Sequence, residues 1–225
     1  MKKLFALIAS VLLSMNVDAQ TTTLKIESFR MGIGEQKTIT LDLNNSDLTD
    51  AAAFCCDIYL PEGVDIATNE EGSYLFSVSD KDSRASSPES LVIASAKQSD
   101  GAVRVVCFPQ DAKAFAGTSG AILNIPLVAS KELTKGTVEV SVASQEITNT
   151  TGLSTVKPDA SIADLIAFLR GDVNIDDEIN VGDLVSVSNF MAGDESISKV
   201  DADANEDDEV NVGDMVTITN IMADN

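Results

Sequence analysis

The sequence predicts two domains, an all-β sandwich followed by a small all-α domain built from two loop–helix repeats. Seven short alternating segments lie within residues 20–155, separated by clusters of Gly, Asp, Asn and Ser. Two copies of one acidic twelve-residue loop begin at Asp172 and Asp203. An apolar segment with helical spacing follows each copy. These observations together favour a β domain with a helical repeat domain behind it.

The first 19 residues have the composition of a secretory signal peptide. Lys2 and Lys3 precede an apolar stretch from Leu4 to Met15, and we expect cleavage after Ala19. A membrane anchor would need about twenty apolar residues, and no later segment of the sequence reaches that length. The sequence therefore predicts an exported protein without a membrane span, either secreted, periplasmic or at the cell surface.

Residues 20–155 are predicted to form the sandwich, because short alternating strands with frequent turns are typical of two packed sheets. The predicted strands are 22–27, 37–43, 53–60, 91–96, 103–108, 121–127 and 137–143. Residues 156–168 are predicted to be a linker, which contains Pro158. Residues 161–170 are apolar enough to pack against a domain, as either a helix or a strand.

Oxygen-bearing side chains recur at the same positions of the two loops, DVNIDDEINVGD and DANEDDEVNVGD. Such residues at positions 1, 3, 5, 9 and 12 suit Ca²⁺, a hard cation that takes about six to eight oxygen ligands. We therefore expect two bound Ca²⁺ ions, with position 7 contributing its main-chain carbonyl. The predicted ligands are Asp172, Asn174, Asp176, Glu178, Asn180 and Asp183 in the first loop, and Asp203, Asn205, Asp207, Glu209, Asn211 and Asp214 in the second.

The segment after each loop carries apolar residues on one helical face. These residues are Leu184, Val187 and Met191 after the first loop, and Met215, Ile218 and Met222 after the second. Position 6 of such loops normally needs Gly for a sharp turn, but Asp177 and Asp208 occupy it here. Because Asp tolerates a left-handed backbone better than most residues, we expect weakened ion binding rather than its loss.

This arrangement resembles a dockerin domain, the small module of two Ca²⁺ loop–helix repeats that binds cohesin domains. The resemblance rests on residues 171–184 and 203–215, including Asp at position 12, and places the dockerin at 169–225. It implies a cohesin-like partner domain. It also implies partner contacts at loop positions 10 and 11, which are Val181 and Gly182, then Val212 and Gly213. Because the two pairs are identical, a partner is expected to bind in either of two orientations.

The predicted sandwich resembles a cohesin-like domain, the jelly-roll sandwich that receives dockerins. The similar stretches are 34–43, 53–64 and 117–123. Carbohydrate-binding modules share this general architecture, so a glycan partner is the alternative to a protein partner. If the sandwich of this chain binds dockerin-like repeats, the repeats of one copy could bind the sandwich of the next. Copies of the chain would then join head to tail, or one chain would bind its own repeats.

Three cysteines and two tyrosines complete the candidate residues. Cys55 and Cys56 point to opposite faces of a predicted strand, so Cys56 would pair with Cys107 if a disulfide forms. The alternative is that all three are buried thiols. Sugar-binding sandwiches stack rings on exposed Trp or Tyr, but this chain has no Trp. Tyr59 and Tyr74 are therefore expected to fill local apolar gaps.

Charge and composition narrow the function. The net charge is -21, and residues 172–225 hold fifteen Asp and Glu and one Lys, which argues against nucleic acid or an anionic membrane as partner. The chain has no His, no Ser–His pair and no phosphate loop, so no catalytic residue is assigned and no enzyme is predicted.

The function that the sequence predicts is an exported, non-catalytic scaffold or adaptor. Its Ca²⁺-dependent dockerin would mediate protein–protein assembly linked to extracellular polysaccharide binding or breakdown. The alternatives are a carbohydrate-binding module, a polysaccharide-degrading (glycoside hydrolase) component, and a Ca²⁺ sensor or buffer.

Overall fold

The computed structural model describes residues 22–86 and 88–224. The predicted signal peptide, residues 1–19, lies outside them. The strands in these residues are β1 Thr23–Lys25, β2 Phe29–Gly32, β3 Gln36–Asn44, β4 Ala51–Tyr59, β5 Val64–Ile66, β6 Ser77–Val78, β7 Leu91–Lys97, β8 Val103–Pro109, β9 Ala121–Ala129, β10 Gly136–Asn149, β11 Thr155–Val156 and β12 Ser161–Phe168. The helices are α1 Val181–Met191, α2 Lys199–Ala202 and α3 Val212–Asp224, and Pro88–Ser90 forms a 3-10 turn.

The strands form two sheets. One has the order β1-β3-β9-β5, with β6 paired to β9. The other has the order β2-β12-β10-β4-β8-β7, with β11 paired to β10. Among the residues that the structure describes, neighbouring strands are antiparallel except β2 and β12. These two strands run parallel, and their register pairs Phe29 with Leu165 and Gly32 with Phe168.

Alternate residues of the strands fill one large hydrophobic core. In β3, for example, Ile39, Leu41 and Leu43 are buried while the residues between them are partly exposed. Successive side chains of a strand point to opposite faces of its sheet, so this alternation buries one apolar face of each sheet. The predicted all-β sandwich is confirmed.

The seven predicted strands correspond to β1, β3, β4, β7, β8, β9 and β10. The largest difference is in β10, which continues to Asn149 past an irregularity between Ala143 and Glu146. Ser144 there has a φ of 49°, and Gln145 is buried. The Gln145 amide accepts from the β1 backbone and donates to the carbonyl of Asp159. The bulge thus ties both β1 and the chain before β12 to the sheet.

The chain predicted as a linker, 156–168, is different in the structure. Ser161–Phe168 is β12, paired with β10 on one side and β2 on the other. The buried residues of β12 are Leu165 and two small residues, Ala163 and Ala167, while Ile162 and Ile166 are exposed. Because both faces of this strand carry apolar residues, the sequence does not alternate between apolar and polar residues. The sequence alone therefore does not distinguish a helix from a strand in this segment. The strands β2, β5, β6 and β11 are too short for alternation to be seen.

The C-terminal helices surround a second, smaller hydrophobic core. Its buried residues are Val173, Val187, Ala202, Ala204 and Ile218. The predicted helical faces agree with this core except at Met191, which is exposed at the end of α1. The α2 helix has only four residues, so each repeat is a loop followed by one substantial helix. None of the helices in residues 22–86 and 88–224 has both the length and the apolar character to cross a membrane.

Candidate functional site

The first acidic loop is shaped by hydrogen bonds to the carboxylates at its two ends. Asp172 Oδ1 accepts from the Asp176 amide at 3.0 Å, and Asp172 Oδ2 accepts from the Asp177 amide at 3.2 Å. The buried Asp183 accepts from the Asn180 amide at 2.8 Å. Positions 1 and 12 therefore hold the chain between them in a closed turn.

The second loop repeats this network position by position. Asp203 accepts from the amides of Asp207 at 3.1 Å and Asp208 at 2.9 Å. The buried Asp214 accepts from the Asn211 amide at 2.8 Å. The two networks match because the residues at positions 1, 5, 6, 9 and 12 are identical in the two loops.

Position 9 of each loop also starts a helix. Asn180 accepts from the Gly182 amide at 2.7 Å, and with Asp183 it forms a capping box. Asn211 accepts from the Gly213 amide at 2.7 Å. A Cβ on either glycine would lie 3.0 Å from the Oδ1 atom of this asparagine. Position 11, predicted from the resemblance to contact a partner, is thus also a position where the loop itself favours glycine.

Positions 4 and 6 of both loops have a left-handed backbone. The φ angle is 60° at Ile175 and 67° at Asp177, and it is 58° at Glu206 and 66° at Asp208. Glycine reaches this conformation at the lowest cost. The sharp turn expected at position 6 therefore forms with Asp in the place of Gly.

The oxygen donors of the two loops suit a hard cation. Carboxylate, amide and main-chain oxygens are the ligands that Ca²⁺ prefers. Across residues 22–86 and 88–224, no three His, Cys, Asp or Glu side chains converge into a group that would hold an ion by themselves. The amide oxygens at positions 3 and 9 and the carbonyl at position 7 would therefore have to join the carboxylates. In donor chemistry, the predicted ligands suit this ion.

Four basic residues that precede the first loop in the sequence contact the loops and α2. We call them the basic clamp, and they are Arg30, Lys37, Lys135 and Arg170. The sequence alone does not reveal them, because each clamp residue lies at least 34 positions along the chain from the repeat residue that it contacts, and no local pattern marks such contacts.

Lys135 is the clamp residue of the first loop. Its Nζ lies 2.8 Å from Asp172 Oδ2 and 2.7 Å from Asp177 Oδ1. The hydrogen bond to Asp172 is the main reason that the pKa of Lys135 is raised. Lys135 and Asp172 also line a small cavity of about 70 Å³ between the sandwich and the first loop, together with Phe168 and Ile175.

The other clamp residues hold the second repeat. Arg170 donates to the Ala204 carbonyl at 2.7 Å and lies 3.0 Å from Glu206, while it also pairs with Glu35. The hydrogen bond to Glu35 raises the pKa of Arg170. Lys37 lies 3.5 Å from Glu206 Oε2. Arg30 donates to Asp201 of α2 at 2.7 Å and stacks over the ring of Phe168, 4.3 Å from its centroid.

An apolar surface on α1 and α3 stays exposed. We call it the valine surface, and it consists of Val181 and Val185 on α1 and Val212 and Val216 on α3, with exposed fractions of 62%, 53%, 65% and 55%. The four residues occupy equivalent positions of the two repeats. Two of them, Val181 and Val212, are predicted partner contacts. The sandwich of the same chain does not cover this surface.

The remaining candidate residues have local partners. The Tyr59 hydroxyl donates to Asp100 Oδ2 at 2.7 Å, and Tyr74 packs edge-on against Phe76 with ring centroids 6.3 Å apart.

The three cysteines are free thiols in the structure. Cys56 and Cys107 are buried, and Cys55 is half-buried. Burial raises the pKa of Cys107 to about 12 and that of Cys56 further still. These pKa values keep both buried thiols protonated, as expected for cysteines that act as small apolar core residues.

Comparisons with known proteins give the class of the sandwich. No protein-family model matches this chain, and no curated protein matches it in sequence. Solved structures do match in fold. The sixth cohesin of scaffoldin B from Acetivibrio cellulolyticus, solved in complex with the Cel5 dockerin, has a TM-score of 0.52 at 14% identity over 65% of this chain and 99% of the cohesin chain.

A second match agrees with the first. A chain of the complex of CaDoc0917 with CaCohA2, the latter from Clostridium acetobutylicum, has a TM-score of 0.50 at 11% identity, over 64% of this chain and 98% of that one. The part of this chain that each match covers is about as large as the sandwich. The described β-sandwich therefore has the cohesin fold.

Proposed function

We propose that this protein is an exported, non-catalytic adaptor with a cohesin-like sandwich and, in residues 169–225, a dockerin-like docking module. The module would be ordered by two Ca²⁺ ions and would bind a cohesin-like sandwich on another molecule. Its own sandwich would receive a dockerin-type module. Participation in extracellular polysaccharide binding or breakdown is part of this proposal.

The observation that carries the proposal is the valine surface. Four valines at equivalent positions of two helices are more than half exposed, although β-branched residues lower helix propensity slightly. Exposed apolar side chains at repeated positions of an otherwise acidic module favour a protein partner. The near-identity of the two repeats supports a partner that binds in either of two orientations.

The clamp geometry supports binding between molecules. Within one chain, the acidic loops and α2 contact the sandwich through the basic clamp, whereas the valine surface stays exposed. Self-binding of one chain through this surface is therefore not the arrangement observed. Binding to another copy, head to tail, stays within the proposal. So does binding to a different cohesin-like protein.

The ion loops link docking to folding. Helices α1 and α3 start at position 10 of their loops, so the loop network and the helix cap share the same asparagine and aspartate. When bound, Ca²⁺ would neutralise the repulsion between loop carboxylates. Metal binding and the presentation of the valine surface would then be one coupled equilibrium.

A binding experiment with aspartate substitutions tests the proposal. The full chain would be passed over immobilised cohesin-like sandwiches, including a second copy of this chain, in Ca²⁺ and in chelator. We expect Ca²⁺-dependent binding to at least one of them. The single variants Val181→Asp and Val212→Asp should each weaken it about twofold, since one of two equivalent poses is lost. The double variant should lose at least about a hundredfold.

The matched control is Ile162→Asp, an equally exposed apolar residue on β12 of the sandwich. It should bind like the unaltered chain, because the repeats of the altered chain bind the immobilised sandwich. Unchanged binding of the double valine variant would overturn the proposed surface. Failure to bind any cohesin-like sandwich in Ca²⁺ would overturn the proposed function.

A further inference from the structure

The two loops have the same ligand residues but different cationic neighbours. In the first loop, Lys135 contacts Asp172, whose side chain is only 1% exposed. In the second loop, Arg170 and Lys37 contact Glu206 instead. Among residues 22–86 and 88–224, no basic side chain forms an ion pair with Asp203 or Asp208, the counterparts of Asp172 and Asp177.

The basic partners of the two loops contact different loop positions, and only the position contacted in the first loop is a predicted ion ligand. Asp172 holds position 1, a predicted ligand, whereas Glu206 holds position 4, which contributes no predicted ligand. An ammonium group bonded to Asp172 Oδ2 withdraws part of that carboxylate from any incoming cation. Its positive charge would also repel a divalent ion bound to the same carboxylate. The cations of the second loop neutralise a residue that does not ligate.

We propose that Lys135 makes the two ion loops unequal, so that the first loop binds Ca²⁺ more weakly than the second. This inference rests on the proposed function, because it assumes that both loops take Ca²⁺. Lys135 acts here as a positioning residue through Asp172. At Ca²⁺ concentrations between the two dissociation constants, the second repeat would be loaded and the first would not. The valine pair on α3 would then be presented before the pair on α1.

Calorimetric titration of the full, chelator-stripped chain with Ca²⁺ tests the inference. We expect two classes of sites that differ by about tenfold in dissociation constant, the size expected for one partly exposed charge near a ligand. Asp176→Asn and Asp207→Asn form a matched pair at exposed position 5. The first substitution should weaken the weaker site, and the second should weaken the tighter one.

Lys135→Met supplies the decisive variant, because Met keeps the length of the stem and removes the charge. It should tighten the weaker site toward the affinity of the tighter one. Lys135→Gln provides a second uncharged side chain should the Met variant fold poorly, and retained sandwich signal in circular dichroism would show that each variant is folded. Lys131→Met, outside the clamp, should leave both sites as they are.

The possible results separate this inference from the proposed function. Two sites of equal affinity, or a weaker site that does not tighten in either Lys135 variant, would overturn the inference and leave the ion loops standing. Assignment of the weaker site to the second loop would also overturn it. Absence of Ca²⁺ binding in the unaltered chain would overturn the inference and the metal-dependent part of the proposed function together.

Discussion

At the scale of single residues, the most informative positions are those where the loops use a left-handed backbone without glycine. Ile175, Asp177, Glu206 and Asp208 all have φ angles near 60°, and the cost of this conformation is on the order of 1 kcal/mol for each residue. Two of the four form ion pairs with the clamp, Asp177 with Lys135 and Glu206 with Arg170 and Lys37. Asp208 forms no such ion pair among the described residues. We therefore expect the backbone cost to be partly offset at Asp177 and Glu206 and not at Asp208.

A matched pair of substitutions tests this reading. Asp208→Gly should stabilise the Ca²⁺-loaded helical repeats by about 1 kcal/mol, because it relieves backbone strain and removes no ion pair. Asp177→Gly should give a smaller gain, since it also removes the contact with Lys135. Urea unfolding followed by helical circular dichroism in saturating Ca²⁺ measures both. A larger gain for Asp177→Gly than for Asp208→Gly would contradict the account.

At the scale of elements, the helices depend on packing more than on their own propensity. Both are rich in β-branched residues, which are weak helix formers. Val187 of α1 and Ile218 of α3 are fully buried in the small core, where they meet Ala202 from α2. The equivalent register of the two helices follows from the sequence repeat, which is why the spacing of apolar residues was enough to predict both helices.

Truncation of Ile218 should therefore have a large effect on this unit. We expect Ile218→Ala to cost about 2–4 kcal/mol, through lost burial and a residual cavity. The exposed Val216→Ala on the same helix should change stability by less than about 0.5 kcal/mol. Thermal melts of the helical signal in Ca²⁺ would show the difference. Equal melting of the two variants would mean that α3 does not pack as described.

Other elements could not be predicted from local sequence patterns. Ser161–Phe168 has apolar residues on both faces and pairs with two strands, one of them parallel. Its place between β2 and β10 depends on residues at least 19 positions away, counted from the pair Val142–Ser161, and a local sequence window does not contain them. The acidic loops were predictable for the opposite reason, since their hydrogen bonds join residues within twelve positions of each other.

At the scale of the whole molecule, the basic clamp joins the acidic repeats to one end of the sandwich. Residues 172–225 hold one Lys, so most of the counter-charge for the loops has to come from elsewhere. The sequence shows this excess of negative charge, but it does not indicate which basic residues outside the loops form ion pairs with the repeats. The clamp leaves the valine surface of α1 and α3 on the outside, where a separate partner can reach it.

We propose that a divalent ion orders the repeats while the sandwich folds on its own core. The most direct measurement is amide hydrogen exchange on the full chain, followed by mass spectrometry, with Ca²⁺ and with chelator. We expect that removal of the ion exposes the amides of α1 and α3 and leaves the protection of β3, β9 and β10 unchanged. Equal protection of α1 and α3 with and without Ca²⁺ would contradict it.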